Sequence, residues 1–233
     1  MSGSATKIAA EKVREKALVA GAQLLQVAPE TLDIVDGIVI SRDGAGGPSI
    51  SLADVAKAFD PNSPTYLGGE PGLGAEGWFH STHMVYPYGV HIASVAVDRG
   101  TGAVRVERYL VAYDIGRAVN PKMVEGQIVG GFAQGLGGAL FEEFRYDERG
   151  EPLSTTFADY MMPTSAEVPQ VEVLITEDAP SPLNPLGVKG AGEAGTNAVG
   201  AAIAAAVDDA LQKPGAIRSL PIRPKDIRRL VAT

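Results

Sequence analysis

The chain has 233 residues, of which 45% are hydrophobic and 21% are charged, and such a composition is typical of a globular protein that can bury a sizeable core. Its net charge is -8 without a Lys- or Arg-rich cluster, which argues against binding to nucleic acid or to an anionic membrane surface. It contains no cysteine, so any iron–sulfur cluster would have to be held by another chain. Small molecules and protein partners remain as ligands.

The N-terminal segment predicts a helix followed by a hairpin. Over residues 4–26 the apolar side chains fall at helical spacing with charges on the other face, which predicts an amphipathic helix. Asp36 and Gly37 separate two short β-rich runs and predict a tight hairpin, because Gly accepts positive φ. Ser51 is then the expected N-cap of a short helix.

A stretch dense in Pro and Gly, residues 60–77, predicts a long loop and a domain boundary. We therefore divide the chain into residues 1–60, with a helix, a hairpin and a short helix, and residues 61–233, the main domain. Charges are interspersed near the N-terminus, and no apolar run reaches 18 residues, so we expect a cytoplasmic protein without a signal peptide or membrane span.

The main domain predicts an α+β fold with an antiparallel or mixed sheet. The predicted elements are two strands joined at Arg99–Gly102, a helix over 121–144, a hairpin over 147–150, a strand over 170–177, a helix over 196–211 and a tail helix from Pro224. Strands and helices do not alternate regularly, which is why we expect α+β and not a parallel α/β fold.

The long predicted helix is rich in glycine. Each glycine inside a helix costs up to about 1 kcal/mol relative to Ala, so something must compensate. We expect another backbone or a ligand to approach the helix closely along its glycines. The residues concerned are Gly126, Gly130, Gly131, Gly135, Gly137 and Gly138.

A second glycine-rich segment, LGVKGAGEAGTN over residues 186–197, leads into an Ala-rich helix and offers backbone amides to an anion. Its glycines have the spacing of a dinucleotide fingerprint, but a proline-broken run precedes it and no strand follows, which argues against a Rossmann unit. Glu193 lies near the expected helix start, where the macrodipole alone would favour an acid. The same dipole favours the ionised form, which a general base requires.

Three segments resemble a known family. NPLGVKGAGEAGTNAVGAAIAAAVDDAL resembles the glycine-glutamate motif of the molybdopterin-binding large subunits of xanthine dehydrogenases, aldehyde oxidoreductases and carbon monoxide dehydrogenases. YDIGRAVNPKMVEGQIVGGFAQGLGGALFEE and FADYMMPTSAEVPQVEVLITEDAPSPLNPLG are similar to the segments before it. The resemblance covers nearly all of the chain in the same order and places it at the C-terminal part of such a subunit.

The resemblance implies an enzyme that hydroxylates the carbon of an N-heterocycle or an aldehyde, with water as the oxygen source. Glu193 would act as the general base that takes the proton from the hydroxyl on molybdenum. The cofactor would be molybdenum-molybdopterin, in a dinucleotide form, and no metal ligand is expected from this chain. Iron–sulfur clusters and FAD would lie on partner subunits.

Family large subunits are much longer than this chain, so a further chain carrying the first half is also expected. The sequence fits a naturally split subunit or a piece of a longer protein, and we favour the split subunit because the sequence begins just before a complete helix. The alternative function is a non-catalytic scaffold of the same fold, which would predict decay of the glutamate motif.

The resemblance also implies cofactor contacts. Gln134 matches a position that contacts the pterin, and Gln127 lies two turns earlier on the same face, although packing would also explain it. The glycine loop would contribute Gly190, Ala191, Gly192 and Gly195. Thr196 and Asn197 would contribute hydroxyl, amide or backbone contacts, with helix capping as the alternative.

Other polar residues have simpler interpretations. His80 and His83 have the spacing of a metal pair, but they need His91 or a carboxylate as a third ligand. An ion pair explains Asp114 and Arg117 as well as catalysis does. Lys189 would be a phosphate contact or, more commonly for a loop lysine, exposed to solvent.

Overall fold

The computed structural model describes residues 1–43 and 46–232 and consists of two units. The first unit comprises Met1–His83 with Asn184–Leu186, and the second comprises Met84–Leu183 with Gly187–Thr233. None of the helices in the described residues is both long and apolar enough to cross a membrane.

In its described residues the first unit contains two α-helices, a short 3-10 helix (Pro29–Thr31) and a three-stranded antiparallel sheet. Its elements are α1 (Ser2–Leu25), β1 (Leu32–Val35), β2 (Ile38–Ser41), β3 (Ser49–Ser51) and α2 (Leu52–Lys57). The predicted hairpin is confirmed, because Asp36 and Gly37 both have positive φ and Val35 pairs with Ile38. Ser51 is the predicted cap, since its hydroxyl accepts a hydrogen bond from the N–H of Asp54 at 3.1 Å.

The Pro- and Gly-rich stretch packs onto this first unit. The N–H of Leu67 donates to the carbonyl of Ala58 at 3.0 Å, and the N–H of Gly72 donates to Phe59 at 2.9 Å. Lys16 in α1 reaches the carbonyl of Gly72 at 2.8 Å. These bonds are the physical reason that the first unit continues to His83, whereas the sequence places a boundary at residue 60.

The second unit holds a three-stranded sheet and three helices in its described residues. They are β4 (Tyr88–Val97), β5 (Val104–Asp114), α3 (Pro121–Leu140), β6 (Val171–Thr176), α4 (Val199–Leu211) and α5 (Pro224–Ala232). β4 pairs antiparallel with β5, and β6 pairs parallel with β5. The sheet is therefore mixed, and the α+β fold class is confirmed.

One face of this sheet is covered by helices. Tyr109 and Val111 on β5 are buried against Phe132 of α3 and against Val199 and Ile203 of α4, in a single hydrophobic core. Burial of such side chains contributes about 1.5–3 kcal/mol each. This packing fixes α3 and the start of α4 against each other and against the sheet.

Two helix ends differ from the prediction by three residues or more. α3 stops at Leu140 instead of continuing to residue 144, because Phe141 leaves helical geometry at φ -126 and both Phe141 and Glu142 donate to the carbonyl of Gly137. α4 begins at Val199 and not at Thr196. Residues 192–198 form turns instead, and Glu193 lies within these turns.

Candidate active site

Three of the α3 glycines allow close contact with neighbouring chain. A Cβ on Gly131 would lie 2.9 Å from Thr196 Oγ1 and 3.0 Å from Gly195 Cα, and a Cβ on Gly135 would lie 2.6 Å from Val199 Cβ. Gly137 faces Glu142 in the same way. At Gly131 and Gly135 the low helix propensity of glycine is compensated, because the turn before α4 and the first residue of α4 pack directly against the helix backbone.

The other α3 glycines face open space. A Cβ on Gly126, Gly130 or Gly138 would meet nothing within 4 Å. Their spacing of four and eight residues puts them on one side of the helix, and Gln127 and Gln134 are exposed on the same side. In the described part of the chain neither glutamine amide has a hydrogen-bond partner. We call this surface the open glycine face: its two amides are available to a ligand, and the helix backbone beside them carries no side chains.

The segment with Glu193 is folded into consecutive turns and fastened to α3. The N–H groups of Thr196 and Asn197 donate to the carbonyl of Glu193 at 3.0 and 3.2 Å. The Thr196 hydroxyl donates to the carbonyl of Gly131 at 2.9 Å. Gly195 is buried so tightly against the carbonyl of Ile128 that a Cβ would clash with it. The turn is therefore held at several points, and Thr196 bonds to α3 and does not cap α4.

The Glu193 carboxylate itself is exposed and makes no hydrogen bond or ion pair with any residue the structure describes. Gly192 beside it is exposed, with open space where a Cβ would stand, whereas Ala194 on the other side is 1% exposed. The backbone of the turn is thus held in place, while the Glu193 carboxylate is exposed and has no partner among the described residues. Such a carboxylate can accept a proton from a bound molecule.

The remaining predicted loop residues divide by exposure. Gly190, Gly192 and Asn197 are exposed. Ala191 is half-buried and packs on the hydrophobic core, so its contribution to a ligand would come from its backbone.

The sequence offered His91 only as a third metal ligand, whereas the structure places it against the turn that carries Glu193. Its Nε2 lies 2.9 Å from the carbonyl oxygen of Ala194, and its Nδ1 lies 2.9 Å from the hydroxyl oxygen of Tyr109. The available signal was its position on β4, on the same side as Ala93 and Val95, since a polar side chain on the core face needs a partner. Across the described ranges no group of three or more His, Asp or Glu side chains is arranged to hold a metal ion.

A buried ion pair anchors the glycine loop at its other end. Lys189 Nζ lies 3.0 Å from Asp114 Oδ1, and both side chains are 7% exposed. The predicted exposure of Lys189 was wrong, and the partner of Asp114 is Lys189 and not Arg117, which is exposed. The Lys189 ammonium also lies 4.0 Å from the ring centre of Tyr88, a favourable cation–π position.

Burial would by itself raise the pKa of the Asp114 carboxyl. Hydrogen bonds from Lys189 and from the N–H groups of Gly116 and Ala179 outweigh that effect, so the pKa lies below its ordinary value. For Lys189 burial acts to lower the pKa, but the bonds to Asp114 and Tyr88 raise it overall. Both groups are therefore charged at neutral pH.

A family model described as the molybdopterin cofactor-binding domain matches residues 1–169 of this chain. The chain therefore belongs to this family, that of the molybdenum hydroxylases. The recognition of the family from the three sequence segments is confirmed.

The similarity to known relatives extends over nearly the whole chain. The 6-hydroxypseudooxynicotine dehydrogenase complex subunit gamma of Paenarthrobacter nicotinovorans is 40% identical over 97% of this chain. The carbon monoxide dehydrogenase large chain of Afipia carboxidovorans is 34% identical over 82% of it. The chain spans only 28% and 23% of the length of these two relatives.

Solved structures show the same fold. Carbon monoxide dehydrogenase from Oligotropha carboxidovorans superposes with a TM-score of 0.86 at 31% identity, over 98% of this chain and 28% of that one. Quinoline 2-oxidoreductase from Pseudomonas putida 86 superposes with a TM-score of 0.84 at 36% identity, over 96% of this chain and 28% of that one.

Proposed function

We propose that this chain forms part of the active site of a molybdenum hydroxylase and that Glu193 is its general base. The observation that carries the proposal is the exposed carboxylate of Glu193, which has no partner among the described residues, on a turn that is held in place on both sides. A carboxylate that served only to stabilise a helix start would be expected in the first turn of that helix. Here α4 begins six residues later, at Val199, so the helix dipole is a poor explanation for Glu193.

The backbone around Glu193 prepares the carboxylate for proton transfer. A general base must be held within hydrogen-bond reach of the proton that it accepts. The bonds of Thr196 to Gly131 and of His91 to Ala194 fix the residues after Glu193, so little conformational freedom is lost when a substrate binds. Glu193 would take the proton of the hydroxyl group that attacks the substrate carbon, and the bound cofactor would supply the acceptor for the hydride that leaves that carbon.

The open glycine face fits a large planar cofactor. The absence of side chains at Gly126 and Gly130 leaves room for close approach, and the amides of Gln127 and Gln134 offer both donors and acceptors to a pterin or a phosphate. Gly190, Gly192 and Asn197, which are exposed, would add further polar contacts to the cofactor, and Ala191, Gly195 and Thr196 would contribute through their backbone. When bound, the molybdenum–pterin group would supply the centre that takes up two electrons from the substrate.

The names of the relatives support an N-heterocyclic substrate. One relative is a nicotine 6-hydroxylase large subunit, 36% identical over 98% of this chain, and one solved structure is a quinoline 2-oxidoreductase. We infer that this chain serves hydroxylation of an N-heterocycle carbon, or of an aldehyde carbon by the same chemistry, with water as the oxygen source.

The partial coverage of the relatives supports a complex. We infer that the active site is completed by the rest of a large subunit, on the same polypeptide or on another, and that partner subunits with iron–sulfur clusters and FAD carry the electrons away. We also infer that the pterin is the dinucleotide form. The cytoplasmic location stays a prediction.

The reaction class is tested with the complex purified from its native host. Its molybdenum and pterin contents are measured, and it is then given quinoline, nicotine and benzaldehyde with a redox dye in ¹⁸O-labelled water. We expect one molybdenum per complex and labelled oxygen in the product. Unlabelled product oxygen would contradict the hydroxylase mechanism, and a complex without molybdenum would favour the scaffold alternative.

A further inference from the structure

We propose that His91 is a positioning residue that fixes the turn presenting Glu193, through a hydrogen bond from its Nε2 to the carbonyl of Ala194. The bond joins β4 to the glycine loop, two segments separated by 103 residues in sequence. The inference rests on the proposed function only for its effect on turnover, because the fastening of the turn is a separate, measurable property.

The tautomer of His91 follows from its two partners. A carbonyl oxygen can only accept, so Nε2 must carry the proton that it donates to Ala194. In a neutral imidazole Nδ1 is then an acceptor, and the Tyr109 hydroxyl donates to it across 2.9 Å. Burial lowers the pKa of His91 more than the bond to Ala194 raises it, which agrees with the neutral form.

Tyr109, the partner of His91 Nδ1, is held in place by the core. Tyr109 is 1% exposed, and its ring centre lies 4.3 Å from that of Phe132 on α3 and 5.7 Å from the imidazole in an edge-to-face arrangement. A buried ring packed on two sides leaves its hydroxyl little freedom, and the hydroxyl in turn fixes the imidazole. The position of the Ala194 carbonyl is therefore set by the core of the second unit.

Glu193 directly precedes the residue that His91 holds. On its C-terminal side, Thr196 is bonded to Gly131, so His91 and Thr196 hold the turn from two different directions. Loss of the His91 bond would release Ala194 while leaving the other fastening intact. The expected consequence is a mobile carboxylate on a folded protein, and not an unfolded domain.

The alternative interpretation is that His91 only packs in the core, and that its hydrogen bonds have no effect on the turn. Substitutions with side chains of different length distinguish the two interpretations. The amide nitrogen of Gln stands about where Nε2 stands and can donate to Ala194, whereas the shorter Asn reaches only the Nδ1 position and the Tyr109 hydroxyl. The test therefore compares His91→Gln, His91→Asn and His91→Leu in the complete complex. His83→Leu serves as the control because His83 is exposed.

Two measurements are made on each variant: hydrogen exchange of the peptide over residues 191–198, and kcat and KM of the molybdenum-loaded enzyme. We expect His91→Asn and His91→Leu to speed exchange in this peptide by about fivefold or more, the effect of losing one net hydrogen bond. We expect kcat to fall about 10- to 100-fold with little change in KM, as for a displaced catalytic group. His91→Gln and His83→Leu should stay near wild type in both measurements.

Equal behaviour of His91→Gln and His91→Asn would overturn the proposal, since packing and not the bond to Ala194 would then matter. Unchanged exchange in His91→Leu would overturn it as well. If Glu193→Gln proved fully active, the assignment of the base would fail, while the exchange comparison would still decide whether His91 holds the turn.

Discussion

At the scale of single residues, the buried ion pair between Asp114 and Lys189 has a testable consequence for stability. It joins the end of β5 to the start of the glycine loop, and both side chains are 7% exposed. Removal of one partner from a buried pair leaves the other charge without compensation. An exposed pair such as Arg105 with Glu107, at 2.7 Å and with side chains 76% and 43% exposed, contributes little because water screens it.

We expect Lys189→Met to lower the melting temperature by about 5–10 °C or more. The matched control, Arg105→Met, should lower it by no more than about 2–4 °C, the shift that corresponds to a surface ion pair. Thermal unfolding followed by circular dichroism measures both. Equal shifts for the two variants would show that the buried pair has no special weight.

The same pair predicts a dependence of stability on pH. Because the pKa of Asp114 is lowered from 3.8, its contribution to stability is present above that value and is lost as the pH falls through the lower folded pKa. The raised pKa of Lys189 places the opposite loss above 10.5. Between these limits the contribution is constant.

We therefore expect the melting temperature of wild type to fall more steeply below about pH 4 than that of Asp114→Asn. The measurement is the melting temperature of both proteins at pH 6 and at pH 3. Parallel falls would mean that other carboxylates, and not Asp114, dominate acid unfolding.

At the scale of elements, the glycines of α3 face two different surroundings. Gly135 faces the buried Val199, whereas Gly130 faces open space. Alanine at either position gains up to about 1 kcal/mol of helix propensity, but at Gly135 the new Cβ would lie 2.6 Å from Val199 Cβ. Overpacking of that kind costs about 1–3 kcal/mol.

We expect Gly130→Ala to raise the free energy of unfolding by about 0.5–1 kcal/mol and Gly135→Ala to lower it by about 1–2 kcal/mol. Urea unfolding of the two variants, which differ from wild type by one methyl group each, gives both values. Stabilisation by Gly135→Ala would contradict the close approach of α4 to α3.

The elements that local chemistry dictates were predicted from the sequence, and those set by tertiary contacts were not. Asp36 and Gly37 demand a hairpin, and Ser51 and Pro121 mark helix starts, so these predictions are confirmed. The parallel pairing of β6 with β5 depends on how distant segments pack, and the sequence left antiparallel and mixed sheets open.

The same division applies to the candidate site. Glu193 and Gln134 were proposed from two recognisable motifs, and Gln127 was proposed from its helical spacing to Gln134. Lys189 and His91 acquire their partners only through folding, because Asp114, Tyr109 and Ala194 lie far from them in sequence.

At the scale of the whole molecule, the second unit leaves apolar side chains exposed on the side of its sheet away from α3 and α4. Val90 and Ile92 on β4 are each 58% exposed, and Leu174 on β6 is 55% exposed. Alternation along β4 puts His91 on the opposite side, toward the core. Contiguous apolar surface of this kind is typical of an interaction site, which agrees with a chain that spans only 28% of its relative.

We expect the isolated chain to self-associate, because this apolar surface is open to water. A double substitution, Val90→Thr with Ile92→Thr, keeps the β-branched shape and should shift light scattering toward the monomer. A wild-type chain that remains monomeric at high concentration would show that this apolar surface does not cause self-association.

The role of Glu193 as the catalytic base is tested by Glu193→Gln in the complete complex, and the control is Glu148→Gln, because Glu148 is exposed in a turn. We expect Glu193→Gln to keep its molybdenum and pterin while kcat falls about 10²- to 10⁴-fold, the usual contribution of a positioned base. Glu148→Gln should match wild type in both. A Glu193→Gln enzyme that turns over within a few-fold of wild type would show that Glu193 is not the base.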